Sequence, residues 1–192
     1  MPLFYHNMNT CGLYFGSFNP FHIGHLAIVN YLVSYTDLDE VRLIVSPHNP
    51  LKDIDRFAPD SPASRLEHIR DVMNEKKLPV AVSDVEFHLP EPLYTINTLR
   101  YLQKTQPGLC FIPVIGGDNL AVIEQWNEWE IILKEFIVYV YPRQGVDHRA
   151  LCDKYERFAK KLVLLPAPEI TISSTFIREG LQAGKNMNGY LV

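Results

Sequence analysis

The stretch that decides the fold is Gly16-Ser17-Phe18-Asn19-Pro20-Phe21-His22-Ile23-Gly24-His25. It follows a short apolar run at 13–15 and precedes a long apolar segment at 26–33, a pattern that predicts a strand, a tight turn and a helix start. A helix start presents unpaired N–H groups and a partial positive charge, and glycine lets the backbone approach a ligand closely. The stretch is therefore a candidate phosphate-binding turn.

The two histidines of this turn, His22 and His25, are expected side by side on the first helical turn. Both imidazoles can donate hydrogen bonds to phosphate oxygens. Two other interpretations stay open from this segment alone. The pair could bind a metal, although the stretch holds no Cys, Asp or Glu and zinc needs more ligands. The histidines could also be surface groups beside ordinary turn glycines.

A second motif, Ile172-Ser173-Ser174-Thr175-Phe176-Ile177-Arg178, lies near the other end of the chain. Ser173 is a predicted N-cap for a helix over 174–183, with Gly184 as its C-terminal stop. Arg178 lies about one turn into that helix, where its guanidinium can reach a phosphate that the helix start attracts. Alone, Ser-Ser-Thr before a helix is usually a cap. Paired with the first motif it indicates a phosphate site.

Together the two motifs resemble the signatures of the nucleotidylyltransferase superfamily, Gly-x-Phe-x-Pro-x-His-x-Gly-His and Ile-Ser-Ser-Thr-x-Ile-Arg. Within it the chain is most similar to the bacterial nicotinate-mononucleotide adenylyltransferases, from about Leu13 to the last residues. Further matches fall in the family's order at Tyr94-Thr95, Thr98-Leu99, 116–120, Trp126 and Tyr141-Pro142-Arg143.

The resemblance implies transfer of AMP from ATP to the 5′-phosphate of nicotinate mononucleotide, giving deamido-NAD and pyrophosphate in NAD biosynthesis. The substrate phosphate is itself a nucleophile at neutral pH, so direct in-line attack needs alignment and charge stabilisation rather than a covalent enzyme intermediate. By resemblance His25 contacts the α-phosphate, His22 helps to hold the triphosphate, and Arg178 with Ser174 and Thr175 grips the β- and γ-phosphates. Mg²⁺ is expected to enter on ATP oxygens, without a metal site of the protein's own, because magnesium keeps several waters.

The adenosine half is assigned by resemblance to Gly16, Ser17, Phe18, Gly117, Asp118 and Ile172. The mononucleotide half is assigned to Asn49, Lys52, Tyr94, Thr95 and Trp126. Three of these residues could instead have purely structural roles: Asp118 could be a helix cap, Lys52 a solvated loop charge, and Trp126 a core residue. Trp129 is the other candidate for that core position.

Composition agrees with a compact intracellular enzyme. The chain has 192 residues, of which 47% are hydrophobic and 21% charged, as in one globular domain with a sizeable core. The net charge of −4 and the scattered Lys and Arg argue against a nucleic-acid partner. Three cysteines outside Cys-x-x-Cys spacing suggest neither disulfides nor a zinc site and fit the cytoplasm. No apolar run is long enough to span a membrane, and a homo-oligomer stays open.

Apolar runs alternate with candidate helices along the chain, which predicts an α/β fold, a Rossmann-like doubly wound parallel sheet. Strands are expected near 13–15, 41–45, 80–82, 110–115, 136–141 and 162–165, and helices near 24–36, 62–76, 94–106, 119–134, 147–160 and 174–183. Ligands in such sheets bind beyond the carboxyl ends of the strands. The stretch from Pro47 to Pro62 is expected to form a mobile loop over the site.

Two departures from the family pattern stand out. Asn19 occupies a position where the family commonly has aspartate, so one negative charge near the phosphates is missing; its side chain can still cap the turn, and we expect activity to survive. The chain stops at 189–192, where relatives usually continue through a Leu-Pro turn and a short helix. We therefore expect residues 1–192 to form a single nucleotidylyltransferase domain that lacks a final C-terminal helix.

Three alternative functions stay open at this point. A pantetheine-phosphate adenylyltransferase shares the fold and reaction, but such relatives are usually shorter and lack the Trp126 segment. Residues 22–25 also match the class I aminoacyl-tRNA synthetase signature, but the chain has no Lys-Met-Ser-Lys-Ser segment and no basic face. A nucleotide-binding sensor would not need both ends of a triphosphate clamp. The residues alone do not separate nicotinate from nicotinamide mononucleotide; the resemblance favours nicotinate.

Overall fold

Six strands in the described part of the chain form one parallel sheet. The computed structural model describes residues 8–48 and 61–192. The strands are β1 (Asn9–Gly16), β2 (Glu40–Val45), β3 (Val80–Ser83), β4 (Leu109–Gly116), β5 (Ile137–Tyr141) and β6 (Lys161–Leu164). Their spatial order is β3-β2-β1-β4-β5-β6, with every neighbouring pair parallel.

The strand order reverses between β1 and β4. From β1 the chain moves outward through β2 to β3, and it then returns to place β4 on the other side of β1. Gly16 lies opposite Val45 of β2, and Tyr14 lies opposite Val114 of β4. A crevice opens at such a switch point beyond the carboxyl ends of the strands, and ligands of doubly wound sheets bind there. The end of β1 carries the first glycine motif.

Seven α-helices in the described residues connect or follow the strands. They are α1 (Ile23–Tyr35), α2 (Pro62–Glu75), α3 (Thr95–Thr105), α4 (Gly117–Ala121), α5 (Trp129–Glu135), α6 (His148–Tyr155) and α7 (Ser174–Gln182), with 3₁₀ turns at Val85–Phe87, Ile123–Gln125, Glu156–Phe158 and Asn188–Tyr190. The predicted α/β doubly wound parallel sheet is confirmed. Each of the six predicted strands overlaps an observed strand, and their ends differ by at most four residues.

The predicted continuous helix at 119–134 is wrong. The chain leaves α4 after Ala121, turns through Ile123–Gln125, and becomes extended at Trp126, with φ −81° and ψ 141°. Glu128 then enters the left-handed region at φ 51° before α5 begins. Its carboxylate accepts two hydrogen bonds from Arg100 at 2.8 and 2.6 Å, a tertiary contact at the break. The predicted helix at 147–160 is likewise shorter, because it tightens into a 3₁₀ turn after Tyr155.

Local helix signals in the sequence are confirmed where they depend on capping. Ser61 caps α2 by accepting a hydrogen bond from the Ser64 N–H at 3.1 Å, and Pro62 occupies the first helical position. Leu66, Ile69 and Met73 form the buried face of that helix. Each of these features follows from residues within one or two turns of one another.

The sheet separates two hydrophobic clusters, one on each face. Cys11 and Leu13 of β1 lie in one cluster, and Tyr14 lies in the other. Successive strand residues point to opposite faces, so a strand covered on both sides reads as a nearly continuous apolar run. Within residues 8–48 and 61–192, none of the helices has the length and apolar character to cross a membrane.

Candidate functional site

A cavity of about 290 Å³ opens at the carboxyl ends of β1 and β4. Most of the residues predicted for the site contribute to its wall, among them Gly16, Ser17, Phe18, His22, His25, Tyr94, Thr95, Asp118, Trp126, Ser174 and Thr175. Gly117, Ile172 and Arg178 lie next to this wall without lining it. Asn49 and Lys52, and most of the loop predicted to cover the site, fall outside the described residues.

The turn after β1 is tightly packed. A Cβ placed on Gly16 would lie 2.7 Å from the ring of Phe18, so only glycine fits there without displacing the ring. Phe18 itself adopts φ 48°, in the left-handed region that non-glycine residues rarely enter. The Gly16 carbonyl accepts a hydrogen bond from the Ser46 N–H at 2.9 Å, which joins the turn to the end of β2.

His22 and His25 stack on each other at the start of α1, with ring centroids 3.6 Å apart. His22 is the N-cap: its Nδ1 accepts a hydrogen bond from the Gly24 N–H at 3.1 Å. His25 accepts in turn at Nδ1 from the His22 N–H at 3.3 Å. Because Nδ1 is an acceptor in both rings, a neutral ring carries its proton on Nε2.

The two histidines differ in burial. His22 is 2% exposed, and burial lowers its pKa to about 4, with the nearby Arg143 charge as a second cause. It is therefore neutral at pH 7. His25 is only partly buried and lines the cavity, which makes its Nε2–H the better placed donor toward a ligand.

The second motif docks directly onto the first. Ser173 is the N-cap of α7, as predicted, and accepts from the Phe176 N–H at 3.1 Å. The hydroxyl of Ser174 donates to the Pro20 carbonyl at 3.2 Å. Gly184 adopts φ 68° just beyond the end of the helix, which confirms the predicted stop.

Arg178 completes this contact between the motifs. Its Nη1 donates to the Asn19 carbonyl at 2.7 Å, and its Nη2 donates to the Thr175 hydroxyl at 3.1 Å. The side chain therefore holds the backbone of the first turn while it lies beside the hydroxyl groups of the second helix start. Two helix N-termini, whose dipoles favour an anion, meet at one end of the cavity.

Asp118 lies on the other side of the cavity, in the first turn of α4. Its Oδ2 is 3.5 Å from Nε of Arg143, and the Arg143 guanidinium also donates to the carbonyls of Ile170 and Ile172 at 3.3 and 3.5 Å. Arg143 thus ties Asp118 to the segment that enters the second motif. The Arg143 N–H donates in turn to Nε2 of the buried His148 at 2.7 Å.

Trp126 and Trp129 occupy different environments. Trp126 is partly buried and lines the cavity together with Tyr94 and Thr95. Trp129 packs edge-on against Tyr155 and Phe158, at centroid distances of 5.8 and 5.4 Å, inside one of the two hydrophobic clusters. Both tryptophans pack against that cluster, and of the two Trp126 also lines the cavity, so its role at the site stays a prediction.

Sequence reasoning missed Arg65. This guanidinium is 6% exposed and donates to the carbonyls of Ser17, Ser46 and Pro47 at 3.0, 3.4 and 3.3 Å. Through the Ser17 carbonyl it holds the turn after β1, and through the other two carbonyls it links that turn to the end of β2. An arginine beside Leu66 on the apolar face of α2 is the one signal that could have drawn attention to it.

The family model described as Cytidylyltransferase-like matches residues 13–180. Two relatives are each described as a "Probable nicotinate-nucleotide adenylyltransferase". Each is 43% identical to this protein over an alignment that covers 94% of the chain. One is from Flavobacterium psychrophilum and has 90% of its length covered, and the other is from Bacteroides fragilis and has 86% covered.

A solved structure supports the fold. It is the Plasmodium falciparum nicotinic acid mononucleotide adenylyltransferase complexed with NaAD, with a TM-score of 0.80 and 19% identity, covering 95% of this chain and 90% of that one. Sequence relatives and fold agree with the two motifs that meet at the cavity. The chain therefore belongs to the nicotinate-nucleotide adenylyltransferases, within the cytidylyltransferase-like family.

Proposed function

We infer that this enzyme transfers AMP from ATP to nicotinate mononucleotide, releasing pyrophosphate and forming nicotinate adenine dinucleotide in NAD biosynthesis. The observation that carries this proposal is the contact between the two motifs. Arg178 and Ser174 fasten the second helix start to the first turn, so two groups of phosphate-binding donors border one cavity. The relatives' shared description supports nicotinate mononucleotide as the acceptor.

In the proposed reaction an oxygen of the mononucleotide 5′-phosphate attacks the α-phosphorus of ATP. A new P–O bond forms as the bond from the α-phosphorus to the bridging β-oxygen breaks, and pyrophosphate leaves with that electron pair. The attacking phosphate needs no general base at neutral pH. The protein therefore contributes alignment and hydrogen bonds to the oxygens on which negative charge increases.

His25 is the proposed donor to the α-phosphate. Its Nδ1 is engaged by the His22 N–H, which orients the ring and leaves the proton on Nε2. Stacking on His22 at 3.6 Å and on Phe21 at 5.4 Å fixes the ring plane. We assign His22 a supporting role at the triphosphate through the same stack, because it is nearly fully buried.

Arg178, Ser174 and Thr175 are the proposed contacts for the β- and γ-phosphates. The hydroxyl groups lie at the N-terminus of α7, where the helix dipole favours an anion. The Arg178 guanidinium already bonds the Thr175 hydroxyl, so it stands at the same helix end. A phosphate group bound there would meet a cation, two hydroxyls and backbone N–H groups together.

For adenosine we propose the surface formed by residues 16–18, Gly117, Asp118 and Ile172. Asp118 can accept hydrogen bonds from ribose hydroxyls. For the mononucleotide we propose Tyr94, Thr95 and Trp126, with the indole of Trp126 as a stacking surface for the pyridine ring. Asn49 and Lys52 stay predictions for the same half.

We expect Mg²⁺ to be bound mainly by ATP oxygens and water. At the phosphate end the cavity offers imidazole, hydroxyl and guanidinium groups, which suit phosphate oxygens better than a magnesium ion. Within the described ranges there is no group of three or more His, Cys, Asp or Glu that could hold a metal. The donor set thus fits Mg-ATP, and the ion would supply charge neutralisation on the phosphates.

The proposal includes residues 1–192 acting as one nucleotidylyltransferase domain in the cytoplasm, on two small-molecule substrates. Its test is pyrophosphate release from Mg-ATP with nicotinate mononucleotide, nicotinamide mononucleotide and phosphopantetheine as parallel acceptors. We expect a strong preference for the nicotinate compound. Preference for phosphopantetheine would replace the assigned reaction, and no release with any acceptor would leave only nucleotide binding.

A further inference from the structure

Glu86 is a buried acid that the proposed reaction does not use. It lies in the 3₁₀ turn Val85–Phe87 just after β3, is 3% exposed, and borders the cavity on the side of Tyr94 and Thr95. No cation in the described part of the chain pairs with it, and burial of a charge is costly unless it is paired.

The contacts of Glu86 run to the helix that carries the mononucleotide half. The hydroxyl of Thr98, itself fully buried, donates to Oε1 at 2.8 Å. The Thr98 N–H in turn donates to the Tyr94 carbonyl at 3.4 Å, in the first turn of α3. Glu86 is therefore connected through one residue to the backbone of Tyr94.

The other neighbour of Glu86 is the end of β2. The hydroxyl of Ser46 lies beside the same carboxyl group. The main chain of Ser46 bonds Gly16 through its N–H and Arg65 through its carbonyl. One carboxyl group thus joins the elements that border the mononucleotide half to the turn assigned to ATP.

We propose that Glu86 is a positioning residue for the acceptor mononucleotide, acting through Thr98 to fix the start of α3 and so the placement of Tyr94 and Thr95. This inference rests on the proposed function for the identity of the acceptor. Oε1, which accepts the hydrogen bond from the Thr98 hydroxyl, is the atom that the role requires.

The buried position of Glu86 also bears on the charge of its carboxyl group. Burial raises the pKa of Glu86, although the Ser46 and Thr98 hydroxyls partly offset the effect. Among residues 8–48 and 61–192, the buried second oxygen, Oε2, has no hydrogen-bond partner, an arrangement that costs a neutral acid far less than a carboxylate. A glutamine should therefore serve in its place.

The test compares Glu86→Gln and Glu86→Ala by steady-state kinetics with both substrates varied. Glu86→Gln keeps the Oε1 acceptor without a charge, and we expect both KM values to stay within about threefold of wild type. For Glu86→Ala we expect the KM for nicotinate mononucleotide to rise about tenfold or more, the scale of one buried hydrogen bond, with the KM for ATP changed less than about threefold.

Thr98→Val removes the same hydrogen bond from the other partner, and it stands in for Glu86→Ala should that variant fail to fold. We expect the same selective rise in the mononucleotide KM. Glu91→Gln removes a charge from an exposed glutamate of the same segment and serves as the matched control, with both KM values unchanged.

Three results would overturn the inference: an unchanged mononucleotide KM in Glu86→Ala, an equal rise in both KM values, or a Glu86→Gln variant as impaired as Glu86→Ala. Wild-type enzyme that releases no pyrophosphate with nicotinate mononucleotide would instead refute the proposed function. The wild-type measurement therefore separates the two failures.

Discussion

Nη1 of Arg178 donates a hydrogen bond to the main-chain oxygen of Asn19 at 2.7 Å, across 159 residues of sequence. This contact joins the two motifs, for which we propose phosphate binding, at one cavity. It gives Arg178 two tasks, because the same guanidinium holds the first turn and lies beside the hydroxyl of Thr175.

Replacing Arg178 by lysine should therefore weaken ATP use more than a simple loss of charge would. A lysine keeps the positive charge but cannot donate to the Asn19 carbonyl and the Thr175 hydroxyl from one planar group. We expect kcat/KM for ATP to fall about 10-fold to 100-fold, as for loss of a hydrogen bond to a charged group. Arg149→Lys, on the exposed side of α6, should leave kcat/KM unchanged; equal values for both variants would contradict the account.

The Arg65→Met variant should be less stable than wild type. The substitution leaves the carbonyls of Ser17, Ser46 and Pro47 without their shared donor inside the protein. We expect the free energy of unfolding, measured in urea, to fall by about 2 to 4 kcal/mol. Arg70 lies in the same helix as Arg65, and Arg70→Met removes its half-exposed ion pair with Asp84. This control substitution should cost less than about 1 kcal/mol. A loss in Arg65→Met no larger than in this control would count against the assigned support.

Gly117→Ala should disturb the adenosine side of the cavity. A Cβ at this position would overlap the imidazole of His148, which is buried and held by the Arg143 N–H. We expect a loss of about 1 to 3 kcal/mol in the free energy of unfolding together with a higher KM for ATP. Gly108→Ala is the matched control, because a Cβ there meets nothing within 4 Å. Equal stability of the two alanine variants would show that His148 can move at little cost.

His22 should make the protein less stable as the pH falls below neutrality. Burial lowers its pKa from 6.5 to about 4, so the unfolded chain binds a proton that the folded protein excludes over this interval. The free energy of unfolding should therefore fall as the pH drops from 6.5 to about 4, by up to about 3 kcal/mol from this group. Above pH 6.5 the group contributes no pH dependence.

The His22→Asn variant isolates that effect. Asparagine is a good N-cap and can accept from the Gly24 N–H, but it does not titrate. The free energy of unfolding of the variant, measured in urea between pH 7 and pH 4, should depend less steeply on pH than that of wild type. At the steepest point the two slopes should differ by the equivalent of about one bound proton. Parallel curves for the two proteins would show that His22 does not exclude the proton.

The sequence predicted best what depends on near neighbours. Helix starts are indicated by residues within one turn, as at Ser61, Pro62 and Ser173. The apolar runs of a buried parallel sheet are continuous enough to locate each of the six described strands. Order along the chain then placed the first motif beyond the carboxyl end of β1, and the structure adds that the strand order reverses there. These features make the cavity predictable before any coordinates are known.

Features that depend on distant contacts were not predictable in the same way. Glu128 at the helix break pairs with Arg100, and Arg65 and Glu86 find their partners on other elements. His22 was expected to help hold the triphosphate, which stays a prediction; its burial and its use of Nδ1 as the cap of α1 were not foreseen. No local pattern indicates the partners of Glu86 and Glu128, and for Arg65 the one signal is its place beside Leu66 on the apolar face of α2.

The most direct test of the account is the turnover of His25→Ala with Mg-ATP and nicotinate mononucleotide, measured together with the dissociation constant for ATP. If His25 donates to the α-phosphate in the transition state, kcat should fall by about 10² to 10³ while ATP binds within a few-fold of wild type. An unchanged kcat, or a loss explained entirely by weaker ATP binding, would contradict the central claim that the first motif stabilises the transition state.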